Sequence, residues 1–384
     1  MAIIDRLGHG LCMKTCLLVL TAAFSLLSGC VTTPPIAGQT TVRVEPESAA
    51  ATVGKMIEDS YSDTQAVDVL YVTNRELKGE AACSDNAFGV TPVNSLAFGL
   101  CRINVPKTHK IGSIETGPTR GDPEPHKYFR ILDHKALTDR ALLSVLQTSK
   151  TSRVMVLVHG FNVKFEEAVR RTAQIAYDLK YRGPVVALSW PAGAGNGLLE
   201  RANLLKTYDV NRLNAAASIE PAARVFRMLS TLDRPIVVVV HSMGHQVVIP
   251  ALANLARELS VPFVDELVLN APDIDVKTFQ QLAPSIRKLS RRTTVYCSFN
   301  DRAMVPSELI SKMPRMGACE SIEGVDVINA GEIDAPLFGL GHGYYYSRPI
   351  LTDVAQLLMG LEPAKRLFIR RSEPNSVEKY YLRP

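Results

Sequence analysis

From about residue 150 onward the chain alternates short apolar runs with longer stretches of helical periodicity, and this alternation constrains the fold more than any other feature. Val154–Val158, Val185–Leu188, Ile236–Val240, Leu267–Leu269, Thr294–Cys297 and Val325–Ile328 are the runs. Segments that short and that apolar fit strands covered on both faces. Between them, Phe165, Val169, Thr172, Ala173, Ala176 and Leu179 recur at the spacing of one helix face. Leu252, Leu255 and Leu259 do the same, and Ala215–Leu229 reads as a single helix with Pro221 near its start. The pattern predicts an α/β fold: a mostly parallel central sheet with helices on both faces. Ahead of it, Val67–Thr73, Leu96–Val105 and a shorter Lys110–Ile114 predict extra N-terminal strands, followed by a helix carrying Ala141, Leu142, Val145 and Leu146. No internal repeat is present.

The N-terminus has a different character. Residues 13–30 combine Lys14, an apolar stretch from Leu17 to Leu27 and then small residues, the layout of a secretory signal. Leu27-Ser28-Gly29-Cys30 resembles a bacterial lipobox, which implies lipidation of Cys30 and, with Val31 next, an outer-membrane address in a Gram-negative host. Met13 is an alternative start to Met1. The expected organisation is a signal at 1–29, a flexible tether at 30–60, a folded domain at 61–364 and a basic tail at 365–384, with Lys365, Arg366, Arg370 and Arg371 beside Tyr380 and Tyr381. No apolar run reaches the ~18 residues of a transmembrane helix. A net charge of +5, from 43 basic and 38 acidic residues, is too small and dispersed for a nucleic-acid partner. Beyond Cys12, Cys16 and Cys30, four cysteines remain, and short loops favour the pairs Cys83–Cys101 and Cys297–Cys319 over four free thiols.

One junction carries chemistry. Val238-Val239-Val240-His241-Ser242-Met243-Gly244-His245 runs from a buried strand straight into a helix, which sets the Ser242 hydroxyl on a sharp turn at the carboxyl edge of the sheet. Val240 stands where the G-x-S-x-G pattern has its first glycine. A serine needs a base, and among the eight histidines His342, in a glycine-flanked loop after the last strand, is best placed to lean over the edge. His241 points away by strand alternation, and His245 lies on the helix. An orienting carboxylate follows a strand at Asp301 or at Asp273; Asp301 is favoured. His159-Gly160-Phe161 closes the first long strand, so the amides of Phe161 and Met243 are the candidate oxyanion donors. The segment 192–208 lies where pocket covers often sit. No His/Cys/Asp cluster has metal-ligand spacing, and no cofactor is expected.

Taken together, His159-Gly160-Phe161, the Ser242 turn, Asp301 and His342, in that order, resemble the α/β-hydrolase superfamily. Leu157–Asn162, Leu188-Ser189-Trp190-Pro191, His241–Gly244, Asn270–Asp273, Asn300–Ala303 and the Thr73-Asn74-Arg75 strand end are similar to a bacterial esterase/lipase-like branch of unknown function. A residue larger than glycine at position 240 is usual in that branch. The resemblance implies an α/β-hydrolase fold, a Ser–His–Asp triad and carboxylic-ester hydrolysis, with no defined substrate; joined to the lipobox reading, it gives as expected partners a small-molecule or lipid ester and a membrane reached through the lipid anchor. Two alternatives share the scaffold: a non-catalytic envelope lipoprotein, and an acyltransferase.

Overall fold

Valines alternate along the central strands between two cores, and that alternation sets the layers. The computed structural model describes residues 66–79, 83, 86–117, 124–149, 153–194, 203–301, 307, 312–333, 343–374 and 376–384, all within one unit, Val44–Pro384. Strand β1 (Ala66–Leu77) pairs antiparallel with β2 (Phe88–Asn104), and β2 with β3 (Arg130–Leu137). Strands β4 (Val154–Val158), β5 (Val185–Ser189), β6 (Ile236–His241), β7 (Val264–Asn270), β8 (Ser290–Cys297) and β9 (Asp326–Asn329) run parallel to one another and to β1. With β10 (Ile369–Arg371) and β11 (Tyr380–Leu382), the sheet order is β10-β11-β9-β8-β7-β6-β4-β5-β1-β2-β3.

Val238 and Val240 of β6 face one core, shared with helices α1 (Asp139–Thr148), α3 (Leu204–Ala217), α4 (Ile219–Leu229), α5 (His245–Leu255) and α6 (Val276–Leu289). Val237 and Val239 face the other, beneath α2 (Phe165–Asp178) and α7 (Arg348–Leu358). Period-two side chains on a strand covered from both sides require this division. Each fully buried valine contributes about 1.5–3 kcal/mol of transfer free energy. β6 therefore ends at a fixed height at the middle of the sheet, and the residue after it is placed by both cores.

Three expectations need correcting. Lys110–Ile114 forms turns, not a strand: Gly112 takes φ +87° and the Ser113 amide closes back on the Lys110 carbonyl. The third N-terminal strand is β3, a polar edge strand whose sequence lacks an apolar run. The helix expected over 215–229 is two helices parted at Ser218, whose hydroxyl donates to the Asn214 carbonyl and accepts from the Asn74 amide.

Both expected disulfides are present, Cys83–Cys101 with Cα atoms 5.8 Å apart and Cys297–Cys319 with 5.1 Å. The basic tail adds β10 and β11 to the sheet edge, burying Tyr380 and Leu382. Arg366 is buried there as well, 2.8 Å from Asp353, which also accepts from the Tyr296 hydroxyl. Among the described residues, no helix is long and apolar enough to cross a membrane.

Candidate active site

Ser242 follows β6 directly and has φ +51°, in the left-handed region that a residue with a side chain occupies at a cost of about 1–2 kcal/mol. A short 3₁₀ turn, Ser242–Gly244, then leads into α5. The serine is therefore at a strained strand-to-helix elbow on the carboxyl edge, and its surroundings hold it there. The Ser242 carbonyl accepts from His245 Nδ1 at 2.6 Å and from the Asp273 amide at 3.3 Å. Two glycines allow the loop after β4 to press on the elbow. A Cβ at Gly160 would lie 2.7 Å from Ser242 Cβ, and one at Gly244 would lie 2.6 Å from the His159 carbonyl oxygen. Phe161 and Met243 each follow one half of this contact, so their backbones flank Ser242 from two sides. Asn162 after β4 and Ala271 after β7 also have positive φ, +57° and +48°, so backbone strain recurs along three adjacent strand ends.

The loop after β4 is fixed from below by Arg75 of β1, which is almost fully buried. Its Nε donates to Ser189 Oγ at 2.9 Å, Nη1 to the Ala192 and Gly89 carbonyls at 2.7 and 3.2 Å, and Nη2 to the Val163 carbonyl at 2.8 Å. One guanidinium thus ties β2, the loop after β4 and the loop after β5 together. Burial lowers its pKa to about 9, an effect that Glu166 and Glu167 partly oppose, so it stays protonated at neutral pH. Arg75 Nη2 also lies 3.3 Å from His159 Nε2. His159 stacks on Trp190 and gives its Nδ1 proton to the Gly160 carbonyl. Burial and then the adjacent Arg75 cation push the His159 pKa down to about 3, so this imidazole is neutral and acts as an acceptor. Asn211 of α3 completes the frame: its Oδ1 accepts from the Asn162 and Gly193 amides at 3.1 and 3.0 Å. Sequence reasoning gave no role to Arg75 or Asn211; an arginine just past the β-rich run Val67–Thr73 was the available signal for the first.

The two candidate acids are in different settings. Asp273 is buried, and its carboxylate accepts from the Tyr208 hydroxyl at 2.9 Å and the Ser307 hydroxyl at 2.5 Å, with Arg315 Nε at 3.3 Å. Asp301 is buried in the turn after β8, two strands along from β6, with its amide bonded to the Ser298 carbonyl. His342 and Cys30 lie outside the described residues. Gly343, the next residue to His342, lines a cavity of about 560 Å³. His159 and His241, the neighbours of Gly160 and Ser242, line the same cavity. His241 stacks on Tyr345, ring centroids 3.7 Å apart. The residue after β4, the last residue of β6 and the residue before Tyr344 therefore line one cavity.

Residues 134–360 match the family profile described as "Alpha/beta hydrolase of unknown function (DUF900)". No curated protein matches the chain. Among solved structures, it is similar to a hyperthermophilic esterase from the archaeon Pyrobaculum calidifontis, at 13% identity over 86% of this chain and 92% of that one, with a TM-score of 0.33. A monoclinic form of a Pyrobaculum calidifontis esterase gives 12% identity over 75% and 84%, with a TM-score of 0.28. Likeness at that level says nothing about what this chain acts on.

Proposed function

This chain belongs to the α/β-hydrolase family of unknown function, and on that premise we propose that it is a serine hydrolase of carboxylic esters. The observation that carries the proposal is the left-handed Ser242 at the end of β6, held at an elbow that Gly160 and Gly244 leave room for. A strained serine with no task would be replaced at no cost by glycine, so the strain points to the hydroxyl's use.

In the proposed reaction His342 takes the Ser242 proton as Oγ attacks the ester carbon. Asp301 orients the imidazole and stabilises its positive charge. The amides of Phe161 and Met243 receive the oxyanion. The imidazolium returns its proton to the departing alkoxide, which leaves as the alcohol. Water then repeats the sequence on the acyl-enzyme and releases the acid. Asp301 is the proposed acid by its place in the chain order that the resemblance has, in the turn after β8; Asp273 is bonded to Tyr208, Ser307 and Arg315.

The proposed location is the cell envelope, with Cys30 lipidated and the domain held at the outer membrane. Two disulfides in one domain support an oxidising compartment. Ser242→Ala is expected to abolish turnover of short p-nitrophenyl esters, and labelling by a fluorophosphonate, with unchanged thermal unfolding. Equal turnover by the variant would remove Ser242 from the mechanism.

A further inference from the structure

The cavity beside the elbow is not uniformly apolar. Its floor is Leu157 and Val239 from the strands and Ala168 and Ile175 from α2, while Arg170 and Arg171 stand on its wall. Arg171 is held rigidly. Its guanidinium carbon sits 4.0 Å from the Tyr346 ring centroid, and Nη1 donates to the Gly112 carbonyl at 3.0 Å and to Gln174 Oε1 at 2.6 Å. Five N–H donors belong to a guanidinium. Those on Nε and Nη2 have no partner among the described residues. The acid on the same wall, Glu167, is engaged at Oε2 by the Lys164 amide in the α2 cap. A positioned fork of unused donors above an apolar floor is the chemistry that recognises a carboxylate or phosphate on an otherwise apolar molecule.

We infer that the esters this site takes carry a second, anionic group, and that Arg171 reads it. The inference rests on the hydrolase reading of Ser242 and adds its substrate class. The apolar side chains of Leu157, Ala168, Ile175 and Val239 line the same cavity as Arg171 and as His241, the residue before Ser242, so an apolar chain joins the anion to the ester. Half-esters of medium-length dicarboxylic acids have this form; an alkyl phosphate ending in an ester has it too.

The test compares ethyl hydrogen suberate with ethyl octanoate, which differ in the terminal carboxylate. Wild-type protein is expected to show the higher kcat/KM on the half-ester. Arg171→Gln should lower the half-ester to neutral-ester ratio by about 10- to 100-fold, the range for loss of a hydrogen bond to a charged group. The loss should fall mainly on KM, and Arg171→Lys should restore part of the ratio. A wild-type preference for ethyl octanoate overturns the inference whatever the variants do, and so does a ratio that Arg171→Gln leaves unmoved. Calorimetry separates this failure from failure of the hydrolase reading. Ser242→Ala protein should bind ethyl hydrogen suberate, and Ser242→Ala with Arg171→Gln should bind it at least 10-fold more weakly. Arg171-dependent binding with no wild-type turnover would sink the hydrolase and keep the anion site. Arg171-independent binding would sink the anion site alone. Inorganic phosphate and suberate, as competitors, distinguish a phosphate from a carboxylate preference.

Discussion

Arg75→Lys keeps a positive charge at the base of the site and removes the shape that uses it. The guanidinium contacts five acceptors: Ser189 Oγ, the carbonyls of Gly89, Val163 and Ala192, and His159 Nε2. A lysine ammonium has three donors on one atom, so two or more of these acceptors lose their partner in a place that water does not reach. Each buried polar group left unsatisfied costs about 1–3 kcal/mol, which gives roughly 2–6 kcal/mol for the substitution. That is a large part of the 5–15 kcal/mol typical of a whole domain. The ammonium is also more strongly hydrated than a guanidinium, so burying it adds to the cost. Urea unfolding should show the midpoint shifted down with the slope unchanged. Turnover should fall further than stability explains, because Val163 closes the loop that carries Phe161, and a displacement of ~1 Å there costs about 100-fold in rate. The reasoning fails if Arg75→Lys unfolds within about 0.5 kcal/mol of wild type, the range of an ordinary surface change. It also fails if the folded variant hydrolyses p-nitrophenyl esters at the wild-type rate.

Gly160→Ala is expected to slow turnover at least 10-fold with about 1–3 kcal/mol of destabilisation, since the new Cβ would meet Ser242 Cβ at 2.7 Å and His241 Nδ1 at 2.9 Å; unchanged kinetics would show that the elbow and the loop after β4 do not share this contact. A second expectation concerns pH. His109 is buried between Asp178, 2.8 Å from Nε2, and Glu115, 3.0 Å from Nδ1. Burial alone would lower its pKa, but the hydrogen bonds to Asp178 and Glu115 outweigh it and raise the value. Asp178 is raised by burial and lowered by more through His109, the Gly112 amide and Gln174. A raised histidine stabilises fully below its unfolded value of 6.5 and loses that contribution as pH rises through the folded value; a lowered aspartate stabilises above 3.8 and loses it as pH falls. The pair therefore helps most between those limits, and thermal unfolding of wild type should fall from pH 6 to pH 8.5 by more than that of His109→Gln. Parallel curves for the two proteins would refute the coupling.

Those elements whose residues face two cores were readable from the sequence, because burial on both sides leaves unbroken apolar runs such as Ile236–Val240. β3 and β10 are the sheet's two edge strands, where polar side chains are tolerated and no run forms, and β11, next to β10, is only three residues long. α3 escaped for a related reason: Leu205, Val210 and Leu213 are exposed on it while Asn211 and Asn214 are buried, so its hydrophobic pattern does not mark its inner face. The surroundings of Asp273 were illegible for a different reason. Asp273 is filled by Tyr208, 65 residues earlier, and by Ser307, 34 residues later, and no local pattern encodes such contacts.

The elbow itself was legible despite its incomplete motif, and the structure explains why the motif is incomplete. A glycine two residues before the nucleophile normally gives the turn room. Here Val240 is fully buried and its side chain fills the core beneath α5 instead. The room comes from Gly160 on the facing loop and from Gly244, each without a Cβ where one would meet the opposite backbone or Ser242 within 3 Å. Close packing at the elbow depends on the sum of the facing surfaces, so a glycine moved from the nucleophile strand to the loop beside it serves the same steric end. Val240→Gly should then leave the elbow intact and open a core cavity, costing about 2–5 kcal/mol of stability as large-to-small core changes do with little loss of turnover per folded molecule. A proportionally greater loss of turnover than of folded protein would show that Val240 also shapes the elbow.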